Sequence, residues 1–205
     1  MKPTHFLCIP LVTTISQPQL TKSLDHFKAD ITSPRTYGIP AAAVRPLSTI
    51  HLTLGVMSFP EGRGLDKAVE VLDSIKPLLP TSPPRVSLQG LGTFPGTNTR
   101  HADILFAHPT CPGYNFDGLC HQIRAKFENA GLIDKNGFGL SLHATIINAR
   151  KTPNKGIDAT KIIQQYRDYV WMNPIPVEKI GICRMGAEKK GPYDEEYPIV
   201  ASINF

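Results

Sequence analysis

No stretch of the 205-residue chain approaches the roughly 18–20 consecutive apolar residues that a membrane-crossing helix needs, so the sequence predicts no membrane contact. Its four cysteines, at 8, 111, 120 and 183, form no C-x-x-C pair and no zinc-ligand spacing. They read as small buried hydrophobes in a reducing compartment, and neither a metal nor another cofactor is expected. The opening run FLCIPLV is short, broken by Pro10 and followed by no small-residue cleavage site. It predicts a first strand, not a secretory leader, and hence an intracellular protein, cytoplasmic or nuclear. Low-complexity segments and linkers are also missing, so residues 1–205 read as one bilobal unit, expected to be a monomer. Charge of one sign is not abundant either: 22 Lys and Arg stand against 17 Asp and Glu. That excess attracts phosphates without supplying the long basic runs of a dedicated nucleic-acid tail.

What is present alternates strand and helix. THFLCIPLV predicts a strand, and Ser16 with Gln19 three residues on reads as a capping box ahead of a helix with Leu20, Leu24, Phe27 and Ile31 on one stripe. A loop over residues 33–49, punctuated by Pro34, Pro40 and Pro46, leads to the strand STIHLTLGVM; it serves either as a functional wall or lid or as solvated packing. Leu65, Val69, Leu72 and Ile75 mark a second helix. RVSLQGLGTF and HADILFAHP follow as strands, with Gly90 and Gly92 marking a bulge or a close backbone approach. A third helix runs from about Tyr114 to Ala130. A fourth, from Ile157 to Val170 with Asp158 as its N-cap, follows the strand LSLHATIINAR. VEKIGICRM and IVASINF close the chain as a hairpin with a long, mobile polar connection at 186–198.

Two of these strands carry the same polar insertion. Successive side chains of a strand point to opposite faces. Ile50, Leu52 and Leu54 therefore look one way while His51 and Thr53 look the other. The second strand repeats this with His143 and Thr145 against Leu142, Ala144 and Ile146. A duplicated β-α-β half is the simplest reading. One His-x-Thr strand alone is more often structural, because a half-buried imidazole is satisfied by a backbone carbonyl. Two copies in matching phase point to a pair of imidazoles flanking one small volume.

An imidazole with an unperturbed pKa of about 6.5 can serve as base in one copy and acid in the other. Phosphodiester cleavage needs both, one to take a proton from the attacking oxygen and one to protonate the departing oxygen. The threonine hydroxyls would donate to the non-bridging oxygens, where charge develops. Two other readings use the same residues. A nucleotide- or RNA-binding module of a larger complex would keep the cleft without turnover. A metal hydrolase would use the histidines as ligands, but no carboxylate accompanies either motif at ligand spacing.

HLTL and HATI resemble the paired H-x-T/S-x signatures of the 2H phosphoesterase superfamily, which includes the RNA-ligase-like cyclic phosphodiesterases. FLCIPL, GIP at 38–40, IHLTLGVM, AGLI at 130–133 and LHATIINAR are similar to the branch that includes the kinase A anchoring protein and activating signal cointegrator complex subunit 1. The resemblance implies an α+β, bilobal fold: two antiparallel sheets with outer helices, related by a pseudo-two-fold axis around a central cleft. It implies His51 and His143 as the acid and base pair, with His143 as base and His51 as acid toward a cyclic phosphate, and Thr53 and Thr145 as phosphate ligands. The substrates implied are RNA-type phosphodiesters: a 2′,3′-cyclic phosphate, a 2′,5′-oligonucleotide or an RNA 3′ end. Phe138, upstream of the second motif, stands where relatives stack a base, although core packing accounts for it equally well. Arg150 and Arg184 each follow an apolar strand and are candidate phosphate contacts or simply solvated cations. His5, His26, His101, His108 and His121 lack the His-x-Thr context.

Overall fold

The computed structural model describes residues 2–192 and 194–205. In chain order the elements are β1 (His5–Pro10), α1 (Gln17–Thr32), β2 (His51–Met57), α2 (Leu65–Ser74), β3 (Arg85–Gly92), β4 (Ile104–Thr110), α3 (Phe116–Asn129), β5 (Ala144–Asn148), α4 (Thr160–Gln165), β6 (Val170–Pro176), β7 (Lys179–Arg184), β8 (Glu188–Lys189), β9 (Glu195–Glu196) and β10 (Ile199–Asn204). The α+β fold is built on antiparallel pairings in the order β10-β7-β1-β2-β5-β4-β3-β6, with β8 and β9 as a separate small hairpin.

The eight strands divide into two groups of four. β1 and β2 pair along their whole length, from His5 with Met57 to Pro10 with His51. β4 and β5 pair from Ile104 with Asn148 to Ala107 with Ala144. Between the two groups, β2 and β5 share a single residue pair, Leu52 with Ala144. The two sheets implied by the family resemblance are thus two halves joined through one pair. β1-α1-β2 in one half corresponds to β4-α3-β5 in the other, and the motif strands meet at the pseudo-two-fold axis. Past Ala144 the edge of β5 is taken instead by the 33–49 segment: Val44 pairs with Ile147, and the Arg45 amide donates to the Ile146 carbonyl at 2.8 Å. The segment thus continues the pairing of β5.

Alternation along β1 explains its two faces. Leu7 and Ile9 are fully buried in the main core beneath the helices, whereas Phe6 and Cys8 form a second small cluster with Cys183. α1 buries Leu20, Leu24, Phe27 and Ile31 as their spacing predicts, and the Ser23 hydroxyl donates to the Trp171 carbonyl of β6 at 2.8 Å. The Trp171 indole donates in turn to the Gly90 carbonyl at 2.7 Å. Gly90 has φ +68°, and a Cβ there would sit 2.6 Å from the Arg167 carbonyl oxygen, so its glycine answers to a close backbone approach.

Four local expectations change. Ser16 precedes α1 but does not cap it. Its hydroxyl donates to the Leu11 carbonyl at 2.6 Å and accepts from the Thr13 amide at 2.8 Å, which ties the turn after β1. α4 is only six residues long. Its N-cap is Ala159 instead of Asp158, which accepts from the Thr160 amide at 3.0 Å from one residue earlier. Tyr166 and Tyr169, however, leave the helical path to pack around Trp171, and the Tyr169 carbonyl accepts from the Gly90 amide at 2.7 Å. The last motif strand begins at Ala144, so His143 lies on the extended segment just before it. The 186–198 connection is fastened at Asp194, whose carboxylate accepts from the Ser48 amide at 3.0 Å and from the Ser48 hydroxyl. Among the described residues no helix is long and apolar enough to cross a membrane.

Candidate active site

The single pair joining the halves places four side chains together. Leu52 and Ala144 point toward the helices and are fully buried. Their flanking residues therefore point to the other face. Antiparallel geometry at this pair sets His51 beside Thr145 and Thr53 beside His143, with the histidines on a diagonal. Diagonal side chains in an antiparallel pair lie about 7–8 Å apart. A phosphate accepting one hydrogen bond of about 2.8 Å on each side spans that gap. All four residues are half-buried.

Both imidazoles are held in the same way. His51 Nδ1 lies 2.7 Å from the Thr49 carbonyl oxygen, and His143 Nδ1 lies 2.7 Å from the Ser141 carbonyl oxygen. A carbonyl only accepts, so in each ring Nδ1 carries the hydrogen and Nε2 keeps its lone pair or its second proton for chemistry. His51 Nε2 lies 3.0 Å from the Thr53 hydroxyl. Each ring also rests on an aromatic from the neighbouring strand, His51 on Phe6 at 4.9 Å and His143 on Phe106 at 5.1 Å between centroids. Tyr197 meets His51 edge-on at 5.5 Å, and Phe94 meets His143 edge-on at 4.9 Å. These contacts fix ring orientation, and in His51 the Thr53 hydroxyl occupies Nε2.

The electrostatics are less symmetric. Burial lowers the pKa of His51 to about 4; the Thr49 carbonyl partly opposes this, and the positive charges of Arg45 and His143 add to it. His51 is therefore neutral near pH 7, the state of a base. The acid role that the family resemblance implies for His51 toward a cyclic phosphate needs its charged form. Burial is the main cause of the lowered pKa, and Arg45, brought beside His51 by the 33–49 segment, reinforces it.

Arg45, Tyr197 and Ser48 stand near His51, and Asp194 bonds Ser48, although none of them carries a motif in the sequence. Arg45 donates to the Tyr197 hydroxyl at 3.0 Å. Its only sequence signal is its position in the loop already suspected as a wall, one residue before Pro46. Tyr197 comes from the far end of the chain, and nothing local marks it. A cavity of about 350 Å³ opens beside His51, lined by Phe6, Cys8, Cys183, Lys179 and Tyr197 among others.

The three secondary candidates do not join the four central residues. Arg150 is held by Asp103 at 2.6 Å, five residues beyond Thr145. Arg184 pairs with Glu188, and strand alternation places it with Ile180 and Ile182, on the side away from Cys183 and the cleft. Phe138 is 99 % exposed and packs on nothing, which removes the core alternative. Its carbonyl accepts from Arg124 at 2.7 Å, and Arg124 also donates to the Leu54 carbonyl at 3.2 Å, so the loop bearing Phe138 is tied to β2. Among the described residues no group of three or more His, Cys, Asp or Glu is placed to hold a metal ion.

The family described as "AKAP7 2'5' RNA ligase-like domain" matches residues 3–205. The chain belongs to this family. Similar solved structures include Escherichia coli LigT complexed with 3′-AMP, at 16 % identity and TM-score 0.62 over 98 % of this chain and 97 % of LigT. TT0787 of Thermus thermophilus matches at 16 % identity and TM-score 0.61 over the same shares. A protein described as a phosphoesterase matches at 16 % identity and TM-score 0.59, over 100 % of this chain and 98 % of its own. A comparison with curated protein sequences returned no match. The chain shares the fold of these structures.

Proposed function

We propose that this AKAP7-type 2H domain, taken as one bilobal unit over residues 1–205, is a phosphodiesterase that cleaves RNA-type phosphodiesters by two-histidine acid–base catalysis. What supports the reading is the Leu52–Ala144 pair, around which strand alternation sets His51, Thr53, His143 and Thr145 on one face. Both Nδ1 atoms are anchored on carbonyls 2.7 Å away. The substrates are a 2′,3′-cyclic phosphate, a 2′,5′-oligonucleotide or an RNA 3′ end. LigT, which shares the fold, has been crystallised with 3′-AMP, NADP+ and ATP, which supports a nucleotide ligand. The four free thiols fit a reducing, intracellular setting.

In the proposed step a water lies between His51 and the phosphorus. His51 Nε2 takes the water proton as the new P–O bond forms, and the Thr49 carbonyl accepts from Nδ1–H of the resulting imidazolium. On the opposite side His143 Nε2 gives its proton to the departing ribose oxygen as the old P–O bond breaks. Thr53 and Thr145 donate to the non-bridging oxygens, where each such contact is worth roughly a hundred- to a thousandfold in rate. In the reverse direction the two histidines exchange roles.

The test is a substrate panel run in EDTA: cyclic mononucleotides, 2′,5′-oligoadenylates and 3′-tailed RNA, with His51→Ala and His143→Ala alongside. Turnover that survives chelation and is lost in both variants is expected. Loss of activity on chelation would replace this mechanism with a metal hydrolase. Binding without turnover across the panel would make the cleft a recognition module.

A further inference from the structure

Arg45 is a buried cation. It is only 7 % exposed, yet among the described residues no carboxylate lies within ion-pair distance of it. A guanidinium has five N–H donors in a rigid fork. Here the side chain's hydrogen bond goes to the Tyr197 hydroxyl, 3.0 Å away, with the guanidinium carbon 5.9 Å from that ring's centroid. Among the described residues no buried side-chain nitrogen lacks a partner, so the remaining donors keep contact with solvent. Burying a charge is costly unless it is paired, and a chain that leaves one so placed has left the pairing to something else.

Its position says what that is. The Arg45 amide bonds the Ile146 carbonyl, one residue along β5 from Thr145, and strands advance about 3.3 Å per residue. Tyr197, which holds the guanidinium, is the ring set edge-on to His51. This buried charge thus lies on the seam between the halves, next to the face where the histidines and threonines meet. We propose that Arg45 is a phosphate-binding residue, its fork donating to the anionic oxygens of the substrate phosphate held at the two-histidine face. This rests on reading that face as a phosphate site. One guanidinium matches the single negative charge of a phosphodiester, and planar pairing of Arg with phosphate oxygens sets the orientation that in-line attack requires. Tyr197 is the positioning residue that holds the fork near His51.

The experiment titrates inorganic phosphate into the wild-type chain, Arg45→Gln and Arg45→Met by calorimetry, and records thermal melting of each with and without phosphate. Phosphate affinity should fall roughly ten- to a hundredfold in both variants, as expected for loss of charged hydrogen bonds. The ligand-free melting temperature should stay level or rise, because a buried charge has been removed. Arg45→Met keeps the apolar stem and gives the same reading should Arg45→Gln not fold. Phosphate affinity unchanged in a folded variant overturns the proposal, as does a wild-type chain that binds no phosphate. The measurement involves no turnover. An inactive wild type that binds phosphate through Arg45 would sink the hydrolase reading alone, and an active one whose phosphate affinity ignores Arg45 would sink this proposal alone.

Discussion

Removing the titration of His51 should flatten the acid side of the stability profile. The folded state holds the His51 pKa at about 4, against 6.5 for an ordinary histidine, chiefly by burial. Above pH 6.5 the ring is neutral in both folded and unfolded chains and contributes no pH dependence. As pH falls through 6.5 the unfolded chain takes up the proton while the folded chain does not, so stability is lost; the loss ends only below pH 4, where the folded ring also protonates. At 1.36 kcal/mol per pKa unit the full interval is worth about 3 kcal/mol, of which about 2 kcal/mol falls between pH 7 and pH 5. The measurement is urea unfolding of the wild type and His51→Gln at pH 7 and pH 5. Gln keeps a donor for the Thr49 carbonyl and cannot titrate. The wild type should lose about 2 kcal/mol more than the variant over that interval. The same pKa sets the acid limb of kcat/KM if His51 is the base, so wild-type activity should persist to well below pH 6 before it falls. Parallel losses of stability in the two proteins would show that His51 protonates as readily folded as unfolded, and the base assignment would go with it.

Other outcomes follow from the same geometry. His143→Ala should remove most turnover, while Thr53→Ala and Thr145→Ala should each lower kcat by roughly a hundred- to a thousandfold; near-normal kcat in the histidine variant refutes the paired mechanism. Gly90→Ala forces a Cβ to within 2.6 Å of the Arg167 carbonyl at φ +68° and should cost roughly 1–3 kcal/mol in chemical denaturation. A neutral result there would mean the β3 bend is not sterically required. Of the four thiols only Cys111 is not buried, so a thiol reagent should modify one cysteine rapidly in the folded chain and all four after denaturation. Rapid reaction of Cys8 or Cys183 would show that the cluster beneath Phe6 opens.

Much of the site was written in local pattern. The period-two alternation of HLTL and HATI set which side chains share a face, and the 3.6-residue stripes of α1 and α3 set which faces go inward. Such periodicities need only the backbone geometry of a strand or a helix, so residues a few positions apart suffice to reveal them. The repetition of the motif was equally local, and it carried the family resemblance. Where reading failed, a distant partner displaced a local one. The Ser16 hydroxyl turned to the Leu11 carbonyl instead of capping α1. Tyr166 and Tyr169 left α4 to surround Trp171. Arg150 and Arg184 found Asp103 and Glu188.

Local pattern alone singled out His51, Thr53, His143 and Thr145 as candidates, because a strand displays every second residue whatever surrounds it. Only the tertiary structure decided that their strands join through one residue pair, that Arg45 and Tyr197 arrive beside His51 from segments more than 150 residues apart, and that burial lowers the His51 pKa. The reason is the nature of the forces involved. Alternation is a property of one strand's backbone, while a pKa answers to desolvation and to every charge within several ångströms, wherever in the chain it originates.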